Sequence, residues 1–338
     1  MLRIVQLQRA TERRVALVDE PRLRFIDGFN SVYALATAAI QRNEPLSSLI
    51  THHLADASLE YDAVYEQRSD WHLLLPFDHP EGGHKTLVSG TGLTHFGSAR
   101  DRNAMHVKAS PDADENLTDS MKMFRWGVEG GHPPAGQIGI APEWFFKGNG
   151  NILRACNEPL DVPQYAEDGG EEAEIAGCYL IAADGTPIRV GMATGNEFSD
   201  HRFEKRNYLN LAGSKLRTCS IGPELVIDPT FVSIPGEVHI DRAGKTIWSK
   251  SIRTGQAEMC HTLANLEHHH FKFDLHRNPG DVHIHYFGAH SLSFGEGVQL
   301  LDGDVMLIHW DGFGRPLRNI VRIAPKSPLG PIPVIPLR

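Results

Sequence analysis

The chain has 338 residues, 41% of them hydrophobic, enough material for a large core, and a formal net charge of −9 at pH 7. That charge gives no basic footprint for nucleic acid, and no apolar run is long enough to span a bilayer. The opening Met-Leu-Arg-Ile-Val-Gln-Leu-Gln lacks a secretory apolar core, so a cytoplasmic location is expected. Cys156, Cys178, Cys219 and Cys260 are widely spaced with no Cys-x-x-Cys, which argues against a disulfide framework or a zinc ribbon.

In chain order, residues 2–7 and 14–18 alternate as two strands around a polar turn, and helical patterns follow over 31–42 and 45–55. Residues 84–92 read as a short strand running into a glycine-rich turn. Those glycines match neither a Walker loop nor a dinucleotide fingerprint and are assigned to backbone geometry. An acidic stretch at 112–120 leads into an amphipathic helix near 121–127, a pattern that suits a lid or an oligomer contact. Beyond Gly139 the chain is β-rich, with turns at 183–186, 241–245 and 301–304 between apolar runs. Prolines 325, 328, 331, 333 and 336 make the last segment an extended arm. The expected organisation is a small N-terminal α/β domain over 1–75, a β-rich main domain over 76–325 and the proline-rich arm over 326–338.

The chemistry concentrates at Glu172-Ala173-Glu174, followed by Asn196-Glu197-Phe198-Ser199 and then Lys215. Residues two apart on a strand share a face, so Glu172 and Glu174 can converge on one cation. The run from Ile175 to Ile181 is apolar on both faces and reads as a strand entering the interior, where bare carboxylates are costly unless paired or bound to metal. Oxygen-only ligands favour Mg²⁺, with Mn²⁺ or Ca²⁺ as alternatives, over Zn²⁺. On spacing alone a solvated acidic loop over 167–172 is the favoured reading. His268-His269-His270, His283 and His285 invite zinc, but no acidic or thiol partner has suitable spacing.

Taken together, Pro142-Glu143-Trp144-Phe145-Phe146-Lys147-Gly148, Glu172-Ala173-Glu174, Asn196-Glu197-Phe198-Ser199, Ser214-Lys215, Ile221-Gly222-Pro223, Pro279-Gly280-Asp281 and Leu301-Asp302-Gly303-Asp304 resemble the fumarylacetoacetate hydrolase superfamily over residues 80–325. The resemblance implies an α+β, β-rich fold with a rolled mixed sheet, a homodimer, and Mg²⁺ held by Glu172, Glu174 and a third acid, here Glu197 where the family usually carries aspartate. It places Lys215 at the oxo and carboxylate oxygens of a 2-oxo acid. A glutamate at Glu143 is similar to the superfamily's 2-keto-3-deoxy sugar acid dehydratases. The His–Glu pair that activates water in hydrolase relatives has no counterpart around His95. Glu143 and Lys215 are the expected catalytic pair, and Lys147, Ser89, His290 and Ser291 are the other expected substrate contacts, with Lys147 equally open to covering an adjacent acid and His290 to bonding backbone carbonyls.

The resulting expectation is a dehydratase converting a 2-keto-3-deoxypentonate to 2-oxoglutarate semialdehyde, with the small-molecule acid as partner and neither nucleic acid nor membrane. An acylpyruvate-type hydrolase or 2-oxo acid decarboxylase is the first alternative, and a non-enzymatic sugar-acid sensor the second.

Overall fold

A computed structural model describes residues 1–97, 118–327 and 330–337. The acidic stretch at 112–117, with its expected lid or contact role, lies outside the described residues.

The strands in chain order are β1 (Leu2–Arg9), β2 (Glu12–Asp19), β3 (Arg22–Ile26), β4 (Leu54–Glu60), β5 (His72–Leu73), β6 (Thr86–Gly92), β7 (Glu143–Asn149), β8 (Leu153–Arg154) and β9 (Leu160–Val162). They continue as β10 (Ala173–Ile181), β11 (Pro187–Asn196), β12 (Cys219–Ile221), β13 (Leu225–Ile227), β14 (Ile234–Arg242), β15 (Lys245–Thr254), β16 (Val282–Tyr286), β17 (Val305–Trp310) and β18 (Leu317–Ile323). The helices are α1 (Val32–Arg42), α2 (Leu46–His52), α3 (Tyr61–Tyr65), α4 (Asp119–Gly130), α5 (His201–Arg206), α6 (Leu211–Lys215) and α7 (Leu263–Phe271).

A large mixed sheet runs β4-β3-β2-β1-β13-β11-β10-β16-β6-β7, and a five-stranded sheet runs β15-β14-β17-β18-β9. The N-terminal strands join the large sheet through antiparallel pairing of β1 with β13, Arg3 opposite Val226. β10 is buried along its whole length because both of its faces are covered. Ile175, Tyr179 and Ile181 pack with Val238, Ile308 and Trp310 of the five-stranded sheet. Ala176, Cys178 and Leu180 on the other face pack with Val32, Leu35, Leu49 and Ile50 of α1 and α2. The molecule is thus layered as helices, large sheet and small sheet.

The α1 boundaries follow local chemistry. Ser31 accepts a hydrogen bond from the Ala34 amide at the N-terminus, and Asn43, in the left-handed region at φ 51°, ends the helix. α2 stops at His52 rather than running to 55, because residues from Leu54 are recruited into β4, paired with β3 at Leu23–Leu59. The expected strand from 84 begins two residues later, after a 3₁₀ turn at Gly83–Lys85. The turn at 183–186 joins β10 to β11, and the one near 243 joins β14 to β15. Residues 301–304 differ: they follow an irregular stretch carrying a 3₁₀ turn at Ser293–Glu296 and lead into β17 rather than linking paired strands.

Candidate metal centre and active site

The loop before β10 and the end of β11 lie side by side, with Ala173 opposite Asn196 and the Glu197 amide donating to the Glu172 carbonyl at 3.1 Å. Asn196 fixes the turn, its Oδ1 accepting from the amides of Glu172 (3.2 Å) and Phe198 (3.3 Å), while Phe198 takes a positive φ of 27°. This register brings Glu172, Glu174 and Glu197 together. All three are buried, and one carboxylate oxygen from each lies within 4.8 Å of the others. The solvated-loop reading of the pair is thereby excluded.

Two ammonium groups border the trio. Lys215, the last residue of α6, donates to Glu172 Oε1 at 2.6 Å, Glu197 Oε2 at 2.7 Å and Ser199 Oγ at 2.9 Å. Lys147 meets the other Glu197 oxygen, and also donates to the carbonyls of Phe198 (2.8 Å) and Lys215 (3.0 Å). Its side chain is fully buried, so of the two roles open to Lys147 the structure favours covering an acid over contacting substrate: it tethers Glu197 to the end of α6.

Electrostatics separate the three acids. Burial pushes the Glu172 carboxyl upward, but the Lys215 ammonium and the hydrogen bond from His201 outweigh it and hold Glu172 well below the usual range. Glu174 goes the other way: burial, then the charges of Glu172 and Glu197, raise it well above its ordinary value. Glu197 is raised by burial and by Glu172, against the pull of Lys147 and Lys215. Carboxylates that repel one another in a buried site, with a donor set made of oxygen, fit a hard divalent cation, which would relieve that repulsion.

β7 supplies the opposite wall. Alternation puts Glu143, Phe145 and Lys147 on one face of the strand, and all three are buried. Lys147 reaches Glu197, the Phe145 ring lies 4.8 Å from Lys215 Nζ, and Glu143 continues the row. The Tyr208 hydroxyl donates to Glu143 Oε2 at 2.6 Å. Gly92, opposite Glu143 in the β6–β7 register, leaves room for the carboxylate, which a Cβ at that position would overlap.

The turn after β16 stands beside the carboxylates, since the Gly288 amide donates to Glu174 Oε2 at 2.6 Å. His290 and Ser291 follow at once, His290 half-buried with its ring 6.5 Å from that of His95 and Ser291 buried. Glu171 anchors the same loop by accepting from the Ser293 amide and hydroxyl, both at 2.7 Å. Ser89 is elsewhere. It is in register with His285, which is in register with Gly177, so it projects from the sheet face opposite to that of Glu174 and bonds His285 Nδ1 at 2.8 Å. The expected substrate contact at Ser89 is therefore a partner of buried histidines.

Two residues that contact the candidate site escaped sequence reasoning. His201 Nε2 lies 3.0 Å from Glu172 Oε1; burial lowers this imidazole, but the Glu172 bond and charge raise it overall. It sits four residues after Glu197, immediately behind the N-cap Asp200, and that proximity was the available signal. Tyr208 carried none, because a 3₁₀ turn at Tyr208–Asn210 swings it to Glu143 across 65 residues of sequence.

No family model matches the chain, and no curated protein matches it in sequence. Solved structures do. A 2-keto-3-deoxyarabinonate dehydratase is 17% identical over 96% of this chain and 100% of its own, with a TM-score of 0.69. A 2-keto-3-deoxy-D-arabinonate dehydratase complexed with magnesium and 2,5-dioxopentanoate is 17% identical over the same shares, with a TM-score of 0.68. The 5-carboxymethyl-2-hydroxymuconate delta-isomerase of Mycobacterium smegmatis is 14% identical over 95% of this chain and 100% of its own, with a TM-score of 0.55. These neighbours share the fold that the motifs implied, and the chain has the fumarylacetoacetate hydrolase-like fold.

Proposed function

We propose that the chain is a metal-dependent dehydratase of a 2-keto-3-deoxy sugar acid, acting on a 2-keto-3-deoxypentonate to give 2-oxoglutarate semialdehyde. The observation that carries this reading is the single face of β7, which presents Glu143 in line with the residues that meet Lys215 and Glu197. The candidate acid/base and the buried carboxylates therefore belong to one site. Glu172, Glu174 and Glu197 would hold Mg²⁺, which supplies Lewis acidity toward a 2-oxo acid.

Dehydration asks the protein for a base at C3 and an acid at the C4 hydroxyl. Glu143, steadied by Tyr208, takes the C3 proton and returns one to the departing hydroxyl, leaving a C3–C4 double bond and a water. Loss of a C5 proton and delivery of a solvent-exchanged proton to C3 move the double bond to C4–C5, and the resulting enol takes a proton at C4 and gives up its O–H proton to become the aldehyde. Lys215, fixed by Glu172, Glu197 and Ser199, orients the acid, with His290 and Ser291 beside it.

Hydrolysis would instead need an activated water. His95, the histidine nearest the hydrolase position, has one ring nitrogen 2.9 Å from Thr94 Oγ1 and the other 2.8 Å from Thr254 Oγ1, and burial lowers it to about 3. Those partners support elimination over hydrolysis. The test is incubation of the purified protein and Mg²⁺ with 2-keto-3-deoxypentonates and, separately, with acylpyruvates, read by mass spectrometry. Loss of one water from a pentonate is the expected result; cleavage of acylpyruvates alone would make the protein a hydrolase.

A further inference from the structure

β7, the strand that carries Glu143, ends the large sheet, and among the described residues its one strand partner is β6. A single ladder fixes an edge strand along the sheet, while its displacement out of the sheet is resisted by what packs on its two faces. An acid/base needs its place held to within about 0.5 Å, so both faces matter. On the inner face Glu143 meets Tyr208, Phe145 lies against Lys215, and Lys147 reaches Glu197. On the outer face Phe146 is exposed, so the half of the strand that bears Glu143 depends there on Trp144.

Trp144 sits half-buried opposite Thr91, its ring 5.6 Å from that of His276, 6.3 Å from that of His270 and 6.4 Å from that of Phe273. Its indole Nε1 donates to His270 Nδ1 at 3.2 Å. An indole N–H can only donate, so Nδ1 is the bare nitrogen of a neutral ring and Nε2 carries the proton given to His283 Nδ1 at 3.0 Å. Ser89 Oγ lies 3.4 Å from the same Nδ1 and 2.8 Å from His285 Nδ1. Burial, then the charges of His285, His283 and His276, hold His270 well below its ordinary value and keep Nδ1 an acceptor. His270 is completely buried on α7, whose Leu266 and Phe271 belong to the core between the sheets, so the bond joins the edge strand to a fixed element.

Glu143 and Trp144 are consecutive, so any movement of the indole carries the Glu143 backbone with it. We propose, on the reading of Glu143 as the acid/base, that Trp144 is a positioning residue: bonded to His270, it pins β7 to α7 from the outer face and so holds Glu143 in line with Phe145 and Lys147 on the inner one. The ring itself lies on the far side of the sheet from the carboxylates and acts through the strand.

The test compares Trp144→Phe, which keeps a ring and loses the donor, with His270→Phe, which keeps the indole and loses the acceptor. Each should lower kcat on a 2-keto-3-deoxypentonate at least about 10-fold, the worth of a buried hydrogen bond with its partner left unpaired, while KM and calorimetric Mg²⁺ affinity stay within about twofold. The double variant should be no slower than the worse single one, and His270→Asn, whose carbonyl oxygen can stand in for Nδ1, should recover most of the rate. A readout apart from turnover is amide hydrogen exchange by mass spectrometry: both Phe variants should speed exchange in β7 about 10-fold and leave β10 protected. Full kcat in both Phe variants, unchanged β7 protection, or a loss shared equally by KM and metal affinity would overturn the proposal. Undiminished turnover by Glu143→Gln would instead remove the acid/base reading, and β7 exchange would still decide whether Trp144 pins the strand.

Discussion

Lys147 shows how a residue's setting decides its role. Sequence proximity to Glu143 left it either a substrate contact or the cover of a neighbouring acid; full burial, with Glu197 and two carbonyls as partners, makes it the counter-cation of a buried acid. Removing one member of a buried pair leaves an uncompensated charge, so Lys147→Met should cost about 3–5 kcal/mol of stability in a urea titration. A loss under about 0.5 kcal/mol, typical of surface substitutions, would return Lys147 to the role of a solvent-facing side chain. The acids were legible because Glu172-x-Glu174 and Asn196-Glu197 sit in short motifs at strand ends. His201 and Tyr208 were not, because their positions depend on how residues 200–215 fold back over the site.

At the scale of elements, the pairing of β6 with β7 sets the space around Glu143. Gly92→Ala should push the carboxylate aside, and a displacement of about 1 Å from productive geometry can cost about 100-fold in rate. Full activity in this variant would show that Glu143 is not held where the chemistry needs it; metal affinity, measured by calorimetry, should not change. On the opposite sheet face, β16 and α7 bury a histidine cluster. His270 Nε2 lies 3.0 Å from His283 Nδ1, and the rings of His270 and His285 stack at 4.4 Å. Burial lowers His283 and His285 to about 3, with neighbouring histidines adding to the effect.

The sign of the pH effect follows. The unfolded chain protonates these imidazoles near 6.5 and the folded one does not, so their stabilisation is full above 6.5 and is lost as pH falls toward 3. At pH 5 each contributes roughly 2 kcal/mol less than at pH 7. Glu171 and Glu174, raised by burial, act oppositely, their contribution fading as pH rises. Comparing the wild type with His285→Phe isolates the histidine part: the variant should lose less stability between pH 7 and 5, and equal losses would contradict the assignment. Elements with clear periodicity, such as α1 and β10, were readable. The end of α2 was not, because pairing of β4 with β3 overrode the local helical pattern.

For the whole molecule, contacts far apart in sequence decide what composition could not. Glu224 receives hydrogen bonds from Arg3 (2.9 Å), Tyr61 (2.8 Å) and the Arg315 amide (3.0 Å), tying the first strands to the last third of the chain. The three-layer arrangement then leaves β7 and the β10–β11 ends facing one another. That convergence makes elimination of the C4 hydroxyl by Glu143 the step to observe. Proton NMR of a 2-keto-3-deoxypentonate with enzyme and Mg²⁺ in D₂O should show an aldehyde product carrying deuterium at C3 and C4, and Glu143→Gln should abolish its formation while metal affinity survives. Deuterium at C3 alone with the C4 carbinol retained, or undiminished turnover by Glu143→Gln, would contradict dehydration at this site.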